Sequence, residues 1–268
     1  MTTEVQMNII VTGASRNADT GIQSVAVSLA AMFGLLAGRR TLLVDLSLEP
    51  DRSRQPMNLT PGADLSSLLA RFLVDQRLDS DTVARQVAVV DLPASHPLAG
   101  RQFDVLANPP AASPEYADDL STQRGTAFVQ ALYEQIVQLD YEIVIVDFGQ
   151  TLDTLRGAAL AGRADLVVLV GRRDAPETQV FIRNRLQSPH FAVSPERLLL
   201  VAPGDYAFPH PEFLDSLTRH EQRYENAAVR TALELAELLE PGISKHLTDA
   251  TGRPIRPAQL GLWRRLFG

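Results

Sequence analysis

The chain has 268 residues, 45% hydrophobic and 21% charged, a length and balance that fit one folded α/β domain and exclude wholesale disorder. Cysteine is absent, which excludes a disulfide framework and any thiolate metal site. A net charge of −7 opposes general nucleic-acid binding, whose affinity comes from cations set against phosphates, so nucleic acid is not expected as a partner.

In chain order, short β-branched runs alternate with longer helical patterns, the sign of βαβ units in a mostly parallel sheet. Strands are predicted at Asn8–Thr12, Arg40–Asp45, Phe103–Ala107, Glu142–Asp147, Asp165–Val170 and Arg197–Ala202. The runs at 42–44, 143–146 and 166–170 are continuously apolar, as strands covered by helices on both faces should be. Helices are predicted at Ile22–Ala37, Leu65–Val74, Thr122–Leu139, Thr151–Ala161, Glu177–Gln187 and through much of Pro211–Leu239. Gly38 stands where a glycine would end the first helix, and Asp64 and Ser121 stand where side chains would cap later ones. Asn108 to Pro114 reads as a loop. The expected organisation is one α/β domain over residues 1–250, a linker at 251–257 and a separate terminal helix at 258–268.

No N-terminal run reads as a secretion leader, and the longest uncharged stretch, Gly21 to Gly38, falls short of a spanning helix. A cytoplasmic location is expected. The five histidines show no metal-ligand spacing, and no Gly-x-Ser-x-Gly elbow occurs.

The first strand runs through Gly13 into a polar loop and then, after Gly21, into a helix. A helix N-terminus offers unpaired N–H groups and partial positive charge, so strand–loop–helix geometry suits a phosphate; an ordinary strand-to-helix turn has the same pattern. Asp45 and Asp147 each end a central strand, where doubly wound folds place ligands. They can contact magnesium or nucleotide, or cap the loops that follow them.

Gly21-Ile22-Gln23-Ser24-Val25-Ala26-Val27-Ser28, followed by Gly38-Arg39-Arg40 and Leu42-Leu43-Val44-Asp45-Leu46-Ser47, resembles the start of the MinD/ParA family of P-loop ATPases. The likeness continues at Tyr141–Asp147 and Ala164–Val170, covering about residues 7 to 202. Within that family the chain looks most like the CpaE/TadZ group associated with pilus assembly, through Leu43–Leu48, Phe103–Pro110 and Asp147 with Thr151-Leu152-Asp153. The resemblance implies a doubly wound P-loop fold, a dimer across the nucleotide sites, and ATP with magnesium.

The loop departs from the family pattern. A gapless match puts Asn17 at the signature lysine, Ala18 and Asp19 at two glycines, Gly21 at the last glycine, Ile22 at the P-loop lysine, and Gln23, beside Ser24, at the magnesium-holding hydroxyl. Lys245 is the sole lysine, so no realignment restores a loop lysine, and Arg16 is not its equivalent in reach or geometry. The second acidic residue of Asp-x-Asp is Ser47, the usual proline after the Walker-B-like aspartate is Gly149, and Ala202-Pro203 stands where relatives place an adenine-reading Asn. Each lost charge-assisted hydrogen bond costs about 1.5–3 kcal/mol. The expected site is therefore a degenerate nucleotide loop of Gly13, Arg16, Asn17, Thr20, Gly21, Ile22, Gln23 and Ser24, with Asp45 and Asp147 as magnesium or switch residues, no catalytic residue and no required cofactor.

Residues 258–268, AQLGLWRRLFG, fit one amphipathic helix, with Leu260, Leu262, Trp263, Leu266 and Phe267 on one side and Arg264 and Arg265 on the other. Such a helix either packs on the body or lies in a membrane interface, and it is similar to the MinD membrane-targeting tail. The resulting expectation is a dimeric pseudo-ATPase that positions or scaffolds an unidentified protein partner at the inner face of the cell membrane, for pilus or secretion-system assembly. The competing readings are an active ATPase in which Arg16 and Ser24 replace the lost groups, and a DNA-partitioning protein.

Overall fold

The computed structural model describes residues 6–13, 21–47, 64–91, 100–109, 114–149, 163–171, 197–201 and 227–241. The expected helices Thr151–Ala161 and Glu177–Gln187, the first part of Pro211–Leu239, the linker and the terminal helix lie outside them.

All six expected strands form: β1 (Met7–Gly13), β2 (Thr41–Asp45), β4 (Gln102–Leu106), β5 (Ile143–Asp147), β6 (Leu166–Val170) and β7 (Leu198–Val201). They pair in parallel in the order β4-β2-β5-β1-β6-β7. A seventh strand, β3 (Ala88–Asp91), pairs antiparallel with β4 at the edge. β2, β5 and β6 are buried along their whole length, which their unbroken apolar sequences require.

Helices cover both faces. On one, α1 (Ile22–Ala31) continues through a π-helical turn at Met32–Leu36 and packs with α6 (Ala227–Leu239). On the other lie α2 (Leu65–Asp75), α3 (Ser80–Ala84), α4 (Pro114–Ser121) and α5 (Gln123–Ile136). The small side chains of α1 are buried almost all round, Val25, Ala26, Val27, Ala30 and Ala31 completely, as befits a helix held between a sheet and a second helix.

The caps follow sequence chemistry, with one correction. Asp64 accepts from the N–H groups of Ser66 and Ser67 at 2.9 and 3.3 Å, and Gly38 follows the π-helical turn with φ +72°. The residue capping α5 is Thr122 rather than Ser121: its hydroxyl accepts from Gly125 N at 3.4 Å, while Ser121 ends α4.

Candidate functional site

Gly34, in the π-helical turn that continues α1, lies so close to the start of β4 that a Cβ there would be 2.6 Å from Phe103 Cβ. α1 therefore runs back along the sheet from the carboxyl ends of the strands, and its N-terminus stands at that edge, where parallel sheets bind ligands. Gly21 precedes it in the left-handed conformation, φ 65°, and has no side chain of its own to cap the first N–H groups, which at a helix N-terminus suit an anionic ligand.

The ends of three strands converge here. Asp45 is in register with Asp147 across β2 and β5, and Val11 with Asp147 across β1 and β5. Both aspartates are buried, at 1% and 2% exposure. Beyond them the chains stay bonded: Leu46 N donates to Asp147 O at 2.8 Å, Phe148 N to Val11 O at 2.9 Å and Gly13 N to Gly149 O at 3.0 Å. The Thr12 hydroxyl also donates to Gly149 O, at 3.2 Å.

Each carboxylate accepts from the backbone two residues on. Ser47 N donates to Asp45 Oδ1 at 3.0 Å and Gly149 N to Asp147 Oδ1 at 2.8 Å, so the loop-capping role foreseen for these residues is present. Asp45 Oδ1 also accepts from the Ser47 hydroxyl at 2.6 Å and from Asn108 Nδ2 at 2.9 Å. The Tyr116 hydroxyl in turn donates to Asn108 Oδ1 at 3.0 Å. Sequence reasoning assigned no role to Thr12, Asn108 or Tyr116. Asn108, a polar residue just past an apolar strand and before a proline, carried a usable signal; Tyr116 carried none.

Of the expected loop residues, Gly13 ends β1, Gly21 precedes α1, and Ile22, Gln23 and Ser24 form its first turn. Ile22 and Ser24 are 5% and 4% exposed, so Ile22 is a core side chain at the position expected for the lysine. Gln23 differs: its Oε1 and Nε2 are both buried, and among the described residues neither has a hydrogen-bond partner. Arg16, Asn17, Thr20 and the tail residues Leu260, Leu262, Trp263, Arg264, Arg265, Leu266 and Phe267 lie outside the described residues.

An orphaned amide is costly to bury, and on the first turn of a helix it fits a polar ligand. Among the described residues no cluster of three or more acidic or histidine side chains forms a ready metal cage. Magnesium does not need one, since it keeps several waters and binds through one or two carboxylates together with substrate phosphates. Asp45 and Asp147 meet that requirement.

No protein-family model and no curated protein matches the sequence. Solved structures do. A ParA family ATPase from Chlorobium tepidum TLS is 15% identical with a TM-score of 0.55, covering 86% of this chain and 94% of that one. Cobyrinic acid a,c-diamide synthase from Mycobacterium smegmatis, with bound ATP analog and magnesium, is 17% identical with a TM-score of 0.54, covering 95% of this chain and 100% of that one. The same synthase with bound ADP and magnesium is also 17% identical, with a TM-score of 0.51 and coverage of 96% and 100%. The fold is thus the ParA-like P-loop NTPase fold, a mostly parallel sheet flanked by helices. The expectation that no cofactor is required is corrected: the synthase carries nucleotide and magnesium on this fold, and in the present chain the paired aspartates and the orphaned Gln23 amide suit such a ligand. The expectation against nucleic acid rests on net charge alone and finds no support in structures of this fold. No helix among the described residues is long and apolar enough to cross a membrane.

Proposed function

We propose that the chain binds a magnesium–nucleotide at the carboxyl edge of its sheet, turns it over at or near background, and acts as a dimeric positioning or scaffold protein. The observation that carries this reading is the pair of buried, in-register aspartates at the strand ends, Asp45 and Asp147; the orphaned Gln23 amide on the first turn of α1 supports it. Bound magnesium supplies charge neutralisation between phosphates and carboxylates. The chain's own part is to hold Asp45 and Asp147 side by side, to offer the N–H groups after Gly21, and to keep water from the buried ends of β2 and β5.

Low turnover is supported by Ile22, a buried apolar side chain where a charge-donating lysine is expected. Phosphoryl transfer depends on positioning and charge neutralisation, and one missing charge-assisted contact lowers affinity by roughly one to two powers of ten. Residues 258–268 supply the membrane contact in this reading. Two tails on a dimer make the second contact intramolecular and raise avidity by a factor of order 10² or more. The resemblance to the CpaE/TadZ group supports pilus or secretion-system placement as the setting.

The test is titration of ATP against the purified chain with and without Mg²⁺, alongside Asp45→Ala and a phosphate-release assay. Binding that strengthens with Mg²⁺, weakens in Asp45→Ala and brings no phosphate release above background is the expected result. No binding at millimolar ATP with Mg²⁺ would overturn the nucleotide reading, and robust turnover abolished by Asp45→Ala would identify a working ATPase.

A further inference from the structure

We propose that Asn108 and Tyr116 are positioning residues of the magnesium–nucleotide site, holding the Asp45 carboxylate in one orientation and tying it to helix α4. The inference rests on the reading above. Asn108 is 1% exposed and Tyr116 6%. Both act through Asp45.

The amide of Asn108 can face Asp45 in two ways. With its NH₂ toward the carboxylate the contact is a charge-assisted hydrogen bond; turned over, it sets a carbonyl oxygen against an anion. The Asp45 carboxylate decides between them, since it can only accept: Asn108 Nδ2 donates to Asp45 Oδ1 at 2.9 Å and to Ser47 Oγ at 3.3 Å, and the Tyr116 hydroxyl, donating to Asn108 Oδ1 at 3.0 Å, holds the amide in that orientation. Pro109 follows directly and biases Asn108 toward extended backbone, while Leu65 N donates to Ala107 O at 2.9 Å and anchors the preceding residue.

Among the described residues, Ser47 N, Ser47 Oγ and Asn108 Nδ2 all donate to Asp45 Oδ1. Hydrogen bonds to the ionised form favour it, and three from fixed directions stop the carboxylate turning. A metal-bound carboxylate needs both properties, because supporting hydrogen bonds set ligand orientation and basicity. Tyr116 lies on α4, so the chain Tyr116–Asn108–Asp45 is a strut from the site to a helix on the outer layer.

The probe is a fluorescent N-methylanthraniloyl ATP, titrated in EDTA and then with Mg²⁺ at saturating nucleotide, for wild type, Tyr116→Phe and Asn108→Ala. Loss of one hydrogen bond predicts a Mg²⁺ midpoint raised about fivefold in Tyr116→Phe, and loss of a charge-assisted one about tenfold or more in Asn108→Ala. Affinity in EDTA should stay within about twofold of wild type, a split that general loosening of the core would not produce. Unchanged midpoints in folded variants, or an equal loss with and without Mg²⁺, would overturn the inference while leaving the nucleotide site standing. Wild type that binds no probe in either condition would remove the nucleotide reading and this one with it. If Asn108→Ala fails to fold, Tyr116→Phe, which removes one oxygen atom, decides alone.

Discussion

Gly149 lies directly against Ser47. A Cβ at Gly149 would sit 2.8 Å from Ser47 Cβ and 2.9 Å from both Ser47 Cα and Ser47 O, and Gly149 itself has φ +62°. The family pattern that the sequence resembles has proline at this place, but proline fixes φ near −65° and has no N–H, whereas Gly149 N donates to Asp147 Oδ1 at 2.8 Å. The loop after β5 is therefore built for glycine. Gly149→Ala should cost about 1–3 kcal/mol from the left-handed backbone and the crowding together. Gly149→Pro should cost about 3 kcal/mol or more. Denaturant unfolding of both variants checks the order; a proline variant as stable as wild type would contradict it.

Arg39 bridges the sheet to α6, donating to Glu142 Oε1 at 2.9 Å and to Glu240 Oε1 at 2.5 Å. Its side chain is 36% exposed, so water screens both pairs. Arg39→Ala should lower stability by about 1 kcal/mol in total, less at high salt. Hydrogen exchange should rise first at the end of α6, around Leu239 and Glu240.

Asp104 sits beside Tyr141, whose hydroxyl donates to its Oδ2 at 2.7 Å. Burial pushes the Asp104 carboxyl above the ordinary 3.8, outweighing the Tyr141 hydrogen bond and the Arg40 charge, which both pull it down. A carboxyl raised on folding binds more protons in the folded state, so its ionisation costs stability as pH rises through the folded pKa. Asp104→Asn, which can still accept from Tyr141, should match wild type at pH 3 and be the more stable at pH 7. Because Asp104 is only half-buried, the gap should stay below about 1 kcal/mol. Paired melts at the two pH values test the sign, and an asparagine variant weaker at pH 7 would refute it.

For the terminal segment, liposome co-sedimentation should separate the full chain from a truncation ending at Arg256 and from Trp263→Glu on anionic vesicles at low salt. Arg264 and Arg265 add about 1 kcal/mol each near an anionic surface, so raising the salt should release part of the bound protein. Identical behaviour of all three would make the segment a packing helix.

The parallel strands were legible because burial on both faces demands unbroken apolar runs such as Ile143–Val146. β3 was not, since it is a four-residue edge strand and Val89 is half exposed. The loop expected at Asn108–Pro114 overlaps α4 only at Pro114, and no element is expected over 115–121; Pro114 opens that helix, where proline is favourable because its missing N–H would be unpaired anyway. α3, five residues long, is too short to show periodicity. At the site, the two aspartates were legible as strand-ending acids. The Asn108–Tyr116 pair was not, because it joins a strand end to a helix face that no local pattern connects.

The packing of α1 against α6 also has a consequence during synthesis. Residues 22–36 leave the ribosome about 200 residues before residues 227–239, which cover their outer flank. β1 likewise waits for β5 and β6, its two neighbours, about 130 residues or more downstream. At roughly 5–20 residues per second, the first helix of the nascent chain carries an uncovered apolar surface for roughly 10–40 s. Loop closure this long slows folding, so cellular yield should depend more on chaperone supply than on the stability of the finished protein.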